Sequence, residues 1–210
     1  MIGALDRETL ATATRELASR DPHLAAIVER YGPPPLWDRA PGFATLLHIV
    51  LEQQVSLASA QAAFDRLHAA IDPLTPERFL ALGDAELLGI GFSRQKTRYG
   101  RALATALVRR ELVLEDLGEA DDDAVRNALQ AIPGIGPWTS TIYLLMVLGR
   151  PDVWPAGDLA LATAVRDALG LDRRPDADEL ASLGDAWRPW RSVAARLFWH
   201  DYLGRRGRPG

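Results

Sequence analysis

The chain has 210 residues, a formal net charge of −4, six tryptophans and no cysteine. This length suits one compact unit or two small packed lobes. The absence of cysteine excludes disulfides, zinc–thiolate sites and cysteine-ligated iron–sulfur clusters. No segment approaches the eighteen or so continuous apolar residues of a membrane span, and the first residues do not form a secretory signal. We therefore expect a cytoplasmic protein without membrane contact.

The basic residues are unevenly distributed, which matters more than the small net charge. Lys96 is the only lysine, and every other basic residue is arginine. The segment from Phe92 to Arg110 contains no acidic residue, and in the segment from Arg188 to Arg208 the only acidic residue is Asp201. Basic surfaces of this kind contact nucleic acid, but either segment alone is equally well explained as a solvated helix face.

The pattern is helical nearly throughout. Apolar residues from Leu46 to Leu57 follow one helical period. Thr75 and Pro76 have the residue types of a helix start, and Gly83 is predicted to end that short helix. Further starts are predicted from N-cap residues or from proline at the first helical position: Ser93, Asp121, Pro137, Asp158 and the residue after Pro189. No alternating strand segment of useful length is present, so the predicted fold class is all-α.

The segment Leu129–Ser140 predicts two helices joined by a tight turn. Gly134 and Gly136 allow positive φ and leave backbone N–H groups uncovered. The next helix begins at once, so its unpaired N–H groups and its dipole point the same way and form an anion site suited to one DNA phosphate. The alternative is a glycine-rich connector between two core helices.

This segment resembles the helix-hairpin-helix of the DNA glycosylase superfamily, and the chain is most similar to bacterial 3-methyladenine DNA glycosylase II. Matching blocks run from about Phe43 to Trp199: Glu52–Ser56, Gly91–Lys96, Asp152–Asp158 and Trp187–Ser192. The resemblance implies a two-lobed fold. We expect residues 43–150 to form a bundle ending in the hairpin, with residues 1–42 packing on residues 151–210. The β-rich N-terminal domain of some relatives is expected to be missing, since too few residues precede Phe43.

The resemblance identifies Asp158 as the catalytic carboxylate. Asp is also a preferred N-cap, and the two roles are compatible. N–H groups at a helix start favour the charged carboxylate, which can stabilise an oxocarbenium-like sugar and orient water. An ionised Asp is not a general acid, but a cationic alkylated purine leaves without one. Asp152 is interpreted as a turn residue.

Further residue roles come from the same blocks. Trp138 and Trp190, with Tyr143 and Leu159 as neighbours, are predicted to line a pocket that binds cationic bases by cation–π contact. The other tryptophans are assigned to the core (Trp187 and Trp199) or left undecided (Trp37 and Trp154). Gln54 is expected to fill the gap left by a flipped base. DNA phosphates are expected to contact Gly134, Gly136, Thr139, Ser56, Ser93 and Lys96. Carbonyls implied to hold a monovalent cation are those of Gln130, Ile132 and Gly134.

These expectations define a monofunctional base-excision glycosylase acting on alkylated purines in double-stranded DNA. Bifunctional relatives carry a lysine where Trp138 stands, and a tryptophan cannot form a Schiff base. Apart from the hairpin cation, no cofactor is expected, and a monomer is expected. The alternative is a DNA-binding module that keeps the hairpin but does not excise bases.

Overall fold

The computed structural model describes residues 3–207, and within that range the chain is helical, with no strand. The all-α prediction is confirmed. The helices are α1 (Arg7–Arg20), α2 (Pro22–Tyr31), α3 (Phe43–Glu52), α4 (Leu57–Ala70), α5 (Pro76–Ala81), α6 (Asp84–Ile90), α7 (Arg94–Val108), α8 (Asp122–Gln130), α9 (Pro137–Met146), α10 (Leu159–Leu169), α11 (Ala177–Gly184) and α12 (Arg191–Gly204). Two 3₁₀ helices, Glu115–Gly118 and Asp185–Trp187, precede α8 and α12.

Most predicted helix starts are confirmed by their capping hydrogen bonds. The Ser93 hydroxyl accepts the Lys96 N–H at 3.2 Å, and the Asp121 carboxylate accepts the Ala124 N–H at 2.8 Å. Asp158 caps α10, which ends at Gly170 in the left-handed conformation with φ 67°. These caps satisfy backbone donors that have no partner inside the helix.

The helical period from Leu46 to Leu57 does not form one helix, and that prediction is wrong. Helix α3 ends at Glu52, and Ser56 caps the start of α4 by accepting the Ser59 N–H. Between them Gln54 has φ 57°, which a continuous right-handed helix does not contain. The apolar residues Val55 and Leu57 continue the period across the turn but are 48% and 55% exposed, so apolar spacing in the sequence does not reveal where the helix ends.

The chain divides into two compact units, which are Met1–Asp38 with Leu144–Gly210, and Arg39–Tyr143. The boundaries thus lie a few residues before those drawn from the sequence. In the first unit, α12 packs against α1, α2 and α10, and all of its residues from Ser192 to Trp199 are buried. Arg196 is 1% exposed, and its guanidinium donates to the carbonyls of Leu36, Leu145 and Ser192. This buried charge therefore connects α12 to two other segments of the unit.

The second unit, residues 39–143, packs α3, α5 and α6 around α7. Gly100 lies where α7 crosses α5, and a Cβ there would come within 2.8 Å of the Phe79 ring. The rings of Phe43 and Phe92 pack edge-on or tilted against Phe79, each with centroids 5.7 Å away. A glycine is required at this crossing because the aromatic core occupies the space of a side chain. Across residues 3–207, no helix is long and apolar enough to cross a bilayer.

Candidate active site

The carboxylate of Asp158 lies at the start of α10 and is half-buried. Its Oδ1 accepts the Leu161 N–H at 2.7 Å and the indole N–H of Trp199 at 3.2 Å. Both donors face the same oxygen, one from α10 and one from α12. The carboxylate is therefore fixed in orientation while it remains accessible. Donors of this kind also stabilise negative charge at that position.

The loop before Asp158 is anchored to α12 by polar contacts. The Asp152 carboxylate accepts two hydrogen bonds from the Arg191 guanidinium, at 2.7 and 3.0 Å. The Ser192 hydroxyl donates to Arg150 O at 2.6 Å and accepts the Val153 N–H at 3.0 Å. Asp152 is therefore structural, as the sequence indicated, and the Arg191–Ser192 pair holds the loop that carries the carboxylate.

The structure reverses the roles expected for two tryptophans. Trp190, expected in the base pocket, is 8% exposed, and its indole donates to Glu16 at 2.7 Å. A ring this covered has no face for a base, so the pocket prediction for Trp190 is wrong. Trp199 was assigned to core packing and is equally covered, yet its N–H contacts the Asp158 carboxylate. Reasoning from the sequence missed it, because 41 residues separate the two partners.

The other predicted pocket residues differ in accessibility. Tyr143 is completely buried, and burial raises the pKa of its hydroxyl to about 12, with a smaller contribution from Glu115. A base cannot reach its ring, so this prediction is also wrong. Leu159, the residue after Asp158, is 66% exposed, and Trp138 is half-exposed near the start of α9. These two remain predictions.

The hairpin forms the predicted tight turn between α8 and α9, with a positive φ at Gly134 but not at Gly136. Ile132 and Ile135 are buried, and the Ile135 N–H donates to Ile132 O at 3.0 Å, which closes the turn. Gly134 has φ 94°, and a Cβ there would come within 2.1 Å of the Tyr99 ring. A Cβ at Gly136 would meet no atom within 4 Å, so this part of the turn is open to a ligand. One glycine is therefore required by packing, and the other leaves space.

The side chain of Gln53 connects the hairpin to the end of α3. Its amide nitrogen donates to Gly134 O at 2.9 Å and to the Thr139 hydroxyl at 2.8 Å. Thr139 is 1% exposed. Its hydroxyl is therefore structural, which corrects the expected phosphate contact through that side chain. The cation site formed by the carbonyls of Gln130, Ile132 and Gly134 stays a prediction.

Lys96 does not have the role expected from the sequence. Its ammonium donates to the backbone carbonyls of Val50, Leu51 and Gln53, the last two at 3.0 and 2.8 Å. An ammonium has three donors, so none is left for a phosphate. The phosphate contact predicted for Lys96 is therefore wrong.

The remaining predicted DNA contacts lie on exposed turns. Ser56 and Ser93 are exposed, and each also caps the helix that follows it. Gln54 is exposed in its left-handed conformation, and the neighbouring side chains of Val55 and Leu57 are 48% and 55% exposed. This turn thus presents a polar side chain flanked by two exposed apolar ones.

The sequence pattern described as HhH-GPD superfamily base excision DNA repair protein matches residues 47–189. The chain belongs to this superfamily. The matched range contains the α3–α4 turn, the hairpin and Asp158, and it ends two residues before α12.

Individual members of the HhH-GPD superfamily are similar over most of the chain. A Bacillus subtilis protein provisionally named DNA-3-methyladenine glycosylase is 28% identical over 85% of this chain, and a Mycobacterium tuberculosis protein provisionally named bifunctional transcriptional activator and DNA repair enzyme AlkA is 35% identical over 92%. The chain spans 65% and 43% of these two relatives. The solved structure of Schizosaccharomyces pombe 3-methyladenine DNA glycosylase with abasic DNA superposes with a TM-score of 0.84 over 93% of this chain and 97% of its own. At 24% identity this match shows the fold.

Proposed function

We propose that this protein is a DNA glycosylase that hydrolyses the N-glycosidic bond of alkylated, cationic purines in double-stranded DNA. The observation that carries the proposal is the Asp158 carboxylate, held by the Leu161 N–H and the Trp199 indole in a chain of the HhH-GPD superfamily. The similarity to 3-methyladenine glycosylases supports the substrate class.

The proposed reaction requires one carboxylate and one water. The bond between C1′ and the base nitrogen breaks, and its electron pair neutralises the positive charge of the alkylated purine. The developing oxocarbenium sugar is stabilised by the negative charge of Asp158. A water oxygen then bonds to C1′, and the carboxylate accepts the released proton before passing it to solvent. No acid needs to protonate the leaving base, because the purine departs as a neutral molecule.

Two features of the second unit support binding to DNA. The hairpin is open at Gly136, and the first turn of α9 follows it directly, so the positive end of a helix dipole lies beside this opening and favours a phosphate there. The α3–α4 turn exposes Gln54, which we propose enters the base stack when the target nucleotide is extruded. The half-exposed Trp138 is proposed to contact the extruded cationic base by a cation–π interaction.

The reaction is proposed to stop at base release, without strand cleavage. A lyase needs an amine that attacks C1′, and Trp138 stands where related lyases carry lysine. The chain has one lysine, and all three protons of the Lys96 ammonium are donated to carbonyls of α3 and the following turn. This geometry leaves no lysine amine to form a Schiff base.

The test is release of free 3-methyladenine from duplex DNA that carries labelled methyl groups. Asp158→Asn should reduce single-turnover release by at least about a thousandfold, since it removes the charge that stabilises the transition state. Its binding to an abasic-site analogue should be retained, because Asn still caps a helix. Asp121→Asn is the matched control, since Asp121 caps α8 through the same kind of bond. Equal release by Asp158→Asn and the control would refute the proposal.

A further inference from the structure

Lysine occurs once in this chain, and its position is unusual. The side chain of Lys96 starts in the first turn of α7 and ends among the carbonyls of Val50, Leu51 and Gln53, where α3 ends. A helix leaves its last carbonyls without partners, and a cation placed there satisfies them. Three carbonyls converging on one point match a compact ammonium, whereas the planar fork of arginine is suited to two parallel acceptors. This explains why lysine is present here in a chain that otherwise uses arginine.

The residue that follows these carbonyls is Gln54, in the left-handed conformation with φ 57°. For a residue other than glycine this conformation costs on the order of 1 kcal/mol, so the surrounding contacts must maintain it. Two contacts hold the preceding residue: Lys96 donates to the Gln53 carbonyl, and the Gln53 amide donates to Gly134 O and to the Thr139 hydroxyl. The backbone before Gln54 is thus fixed on one side by α7 and on the other by the hairpin.

We infer that Lys96 is a positioning residue for DNA distortion: its ammonium holds the end of α3 in the turn that presents Gln54 to the gap left by the extruded base. The inference rests on the proposed function, because it requires Gln54 to enter the base stack. Lys96 itself touches neither DNA nor the reacting atoms. Through Gln53, the same contacts fix the distance between the inserted side chain and the hairpin that binds phosphate.

The charged groups around this site allow a pH test. Burial lowers the pKa of Lys96 to about 8, and the nearby Glu52 opposes that shift. Glu52 is the last residue of α3 and forms a two-bond ion pair with Arg39, with N–O distances of 2.8 and 3.0 Å. Burial also lowers the pKa of His48 from 6.5, so His48 stays neutral above neutral pH. Tyr99 lies one turn along α7, and its hydrogen bond with Gln95 lowers its pKa.

The sign of the effect follows from the lowered pKa. Below pH 8 the ammonium donates to all three carbonyls, whereas above it a neutral amine has only two N–H groups and its lone pair faces a carbonyl. Insertion of Gln54 should therefore weaken as the pH rises through about 8. Tyr99 also titrates at alkaline pH, so a variant that lacks Lys96 and keeps Tyr99 is needed to separate the two groups.

The experiment uses the full chain and a duplex with a tetrahydrofuran abasic analogue opposite 2-aminopurine. Insertion of a side chain changes the stacking of 2-aminopurine, and its fluorescence reports this without catalysis. Lys96→Met should reduce the fluorescence change at least about fivefold at saturating protein, approaching Gln54→Ala. Lys96→Arg keeps the charge, but it should also lose most of the fluorescence change. Arg94→Met removes an exposed charge two residues away and should behave as wild type.

Single-turnover release of 3-methyladenine from methylated duplex is measured on the same variants. If wild-type protein releases no base, the proposed function fails. If wild type is active and Lys96→Met matches it in both fluorescence change and release, the inference about Lys96 fails alone. A wild-type fluorescence change that stays constant from about pH 7 to about pH 9 would also overturn it, even if Lys96→Met does not fold. The expected result is a decline in wild type that is absent in Lys96→Arg when each protein's fluorescence change is divided by its own value at about pH 7.

Discussion

Replacing Trp199 by Phe tests whether the indole N–H supports Asp158, the proposed catalytic carboxylate. The change removes the 3.2 Å hydrogen bond to Asp158 and keeps an aromatic ring in the same buried position. Hydrogen bonds to charged groups contribute about 1.5–3 kcal/mol, and a bond of this length belongs at the lower end. A loss of about 1.4 kcal/mol in the transition state corresponds to about tenfold in rate. We expect single-turnover release of 3-methyladenine to fall by about this factor, with unchanged affinity for abasic DNA.

Trp190→Phe is the matched control for this substitution. Trp190 has the same 8% exposure and donates its indole N–H to Glu16 at 2.7 Å, away from Asp158. Both substitutions shrink a buried ring and should cost about 1–3 kcal/mol of stability, measured as a lower melting temperature. Only Trp199→Phe should slow base release. Equal slowing by the two variants would mean that destabilisation accounts for the loss, and an unchanged rate for Trp199→Phe would remove Trp199 from the site.

Three further predictions concern DNA binding and the type of reaction. Gly136→Ala should fold normally, because the site is open. It should weaken binding to damaged and undamaged duplexes alike, since the proposed contact is with phosphate, and titration with labelled duplexes measures this. Gly134→Ala should instead lower the melting temperature, because a methyl group there overlaps the Tyr99 ring. Gln54→Ala should slow excision from duplex DNA by about tenfold and leave excision from single strands nearly unchanged, and equal losses on both substrates would contradict insertion. Borohydride should not trap the protein on abasic DNA, and a covalent adduct that disappears in Lys96→Ala would contradict base release without lyase chemistry.

Local structure in this protein was largely determined by its sequence. Helix α10 has the predicted bounds, because an Asp N-cap and a C-terminal glycine act within a few residues of the helix ends. The hairpin is equally local, since closure of the turn depends on Gly134 and on the Ile132–Ile135 hydrogen bond. The superfamily could likewise be identified from short sequence blocks, since each block forms a turn or a helix cap. The prediction that Asp158 is the catalytic carboxylate came from the same blocks.

Only the tertiary structure decided which side chains contact these local elements. Trp190 and Trp199 are both buried tryptophans near the start and the middle of α12, and composition and period do not distinguish them. The packing of α12 gives one indole to Glu16 and the other to Asp158. Lys96 is a similar case, because its acceptors lie 43 to 46 residues away and are backbone carbonyls, which every sequence contains. A sequence specifies the donor, but only the folded chain brings the acceptors to it.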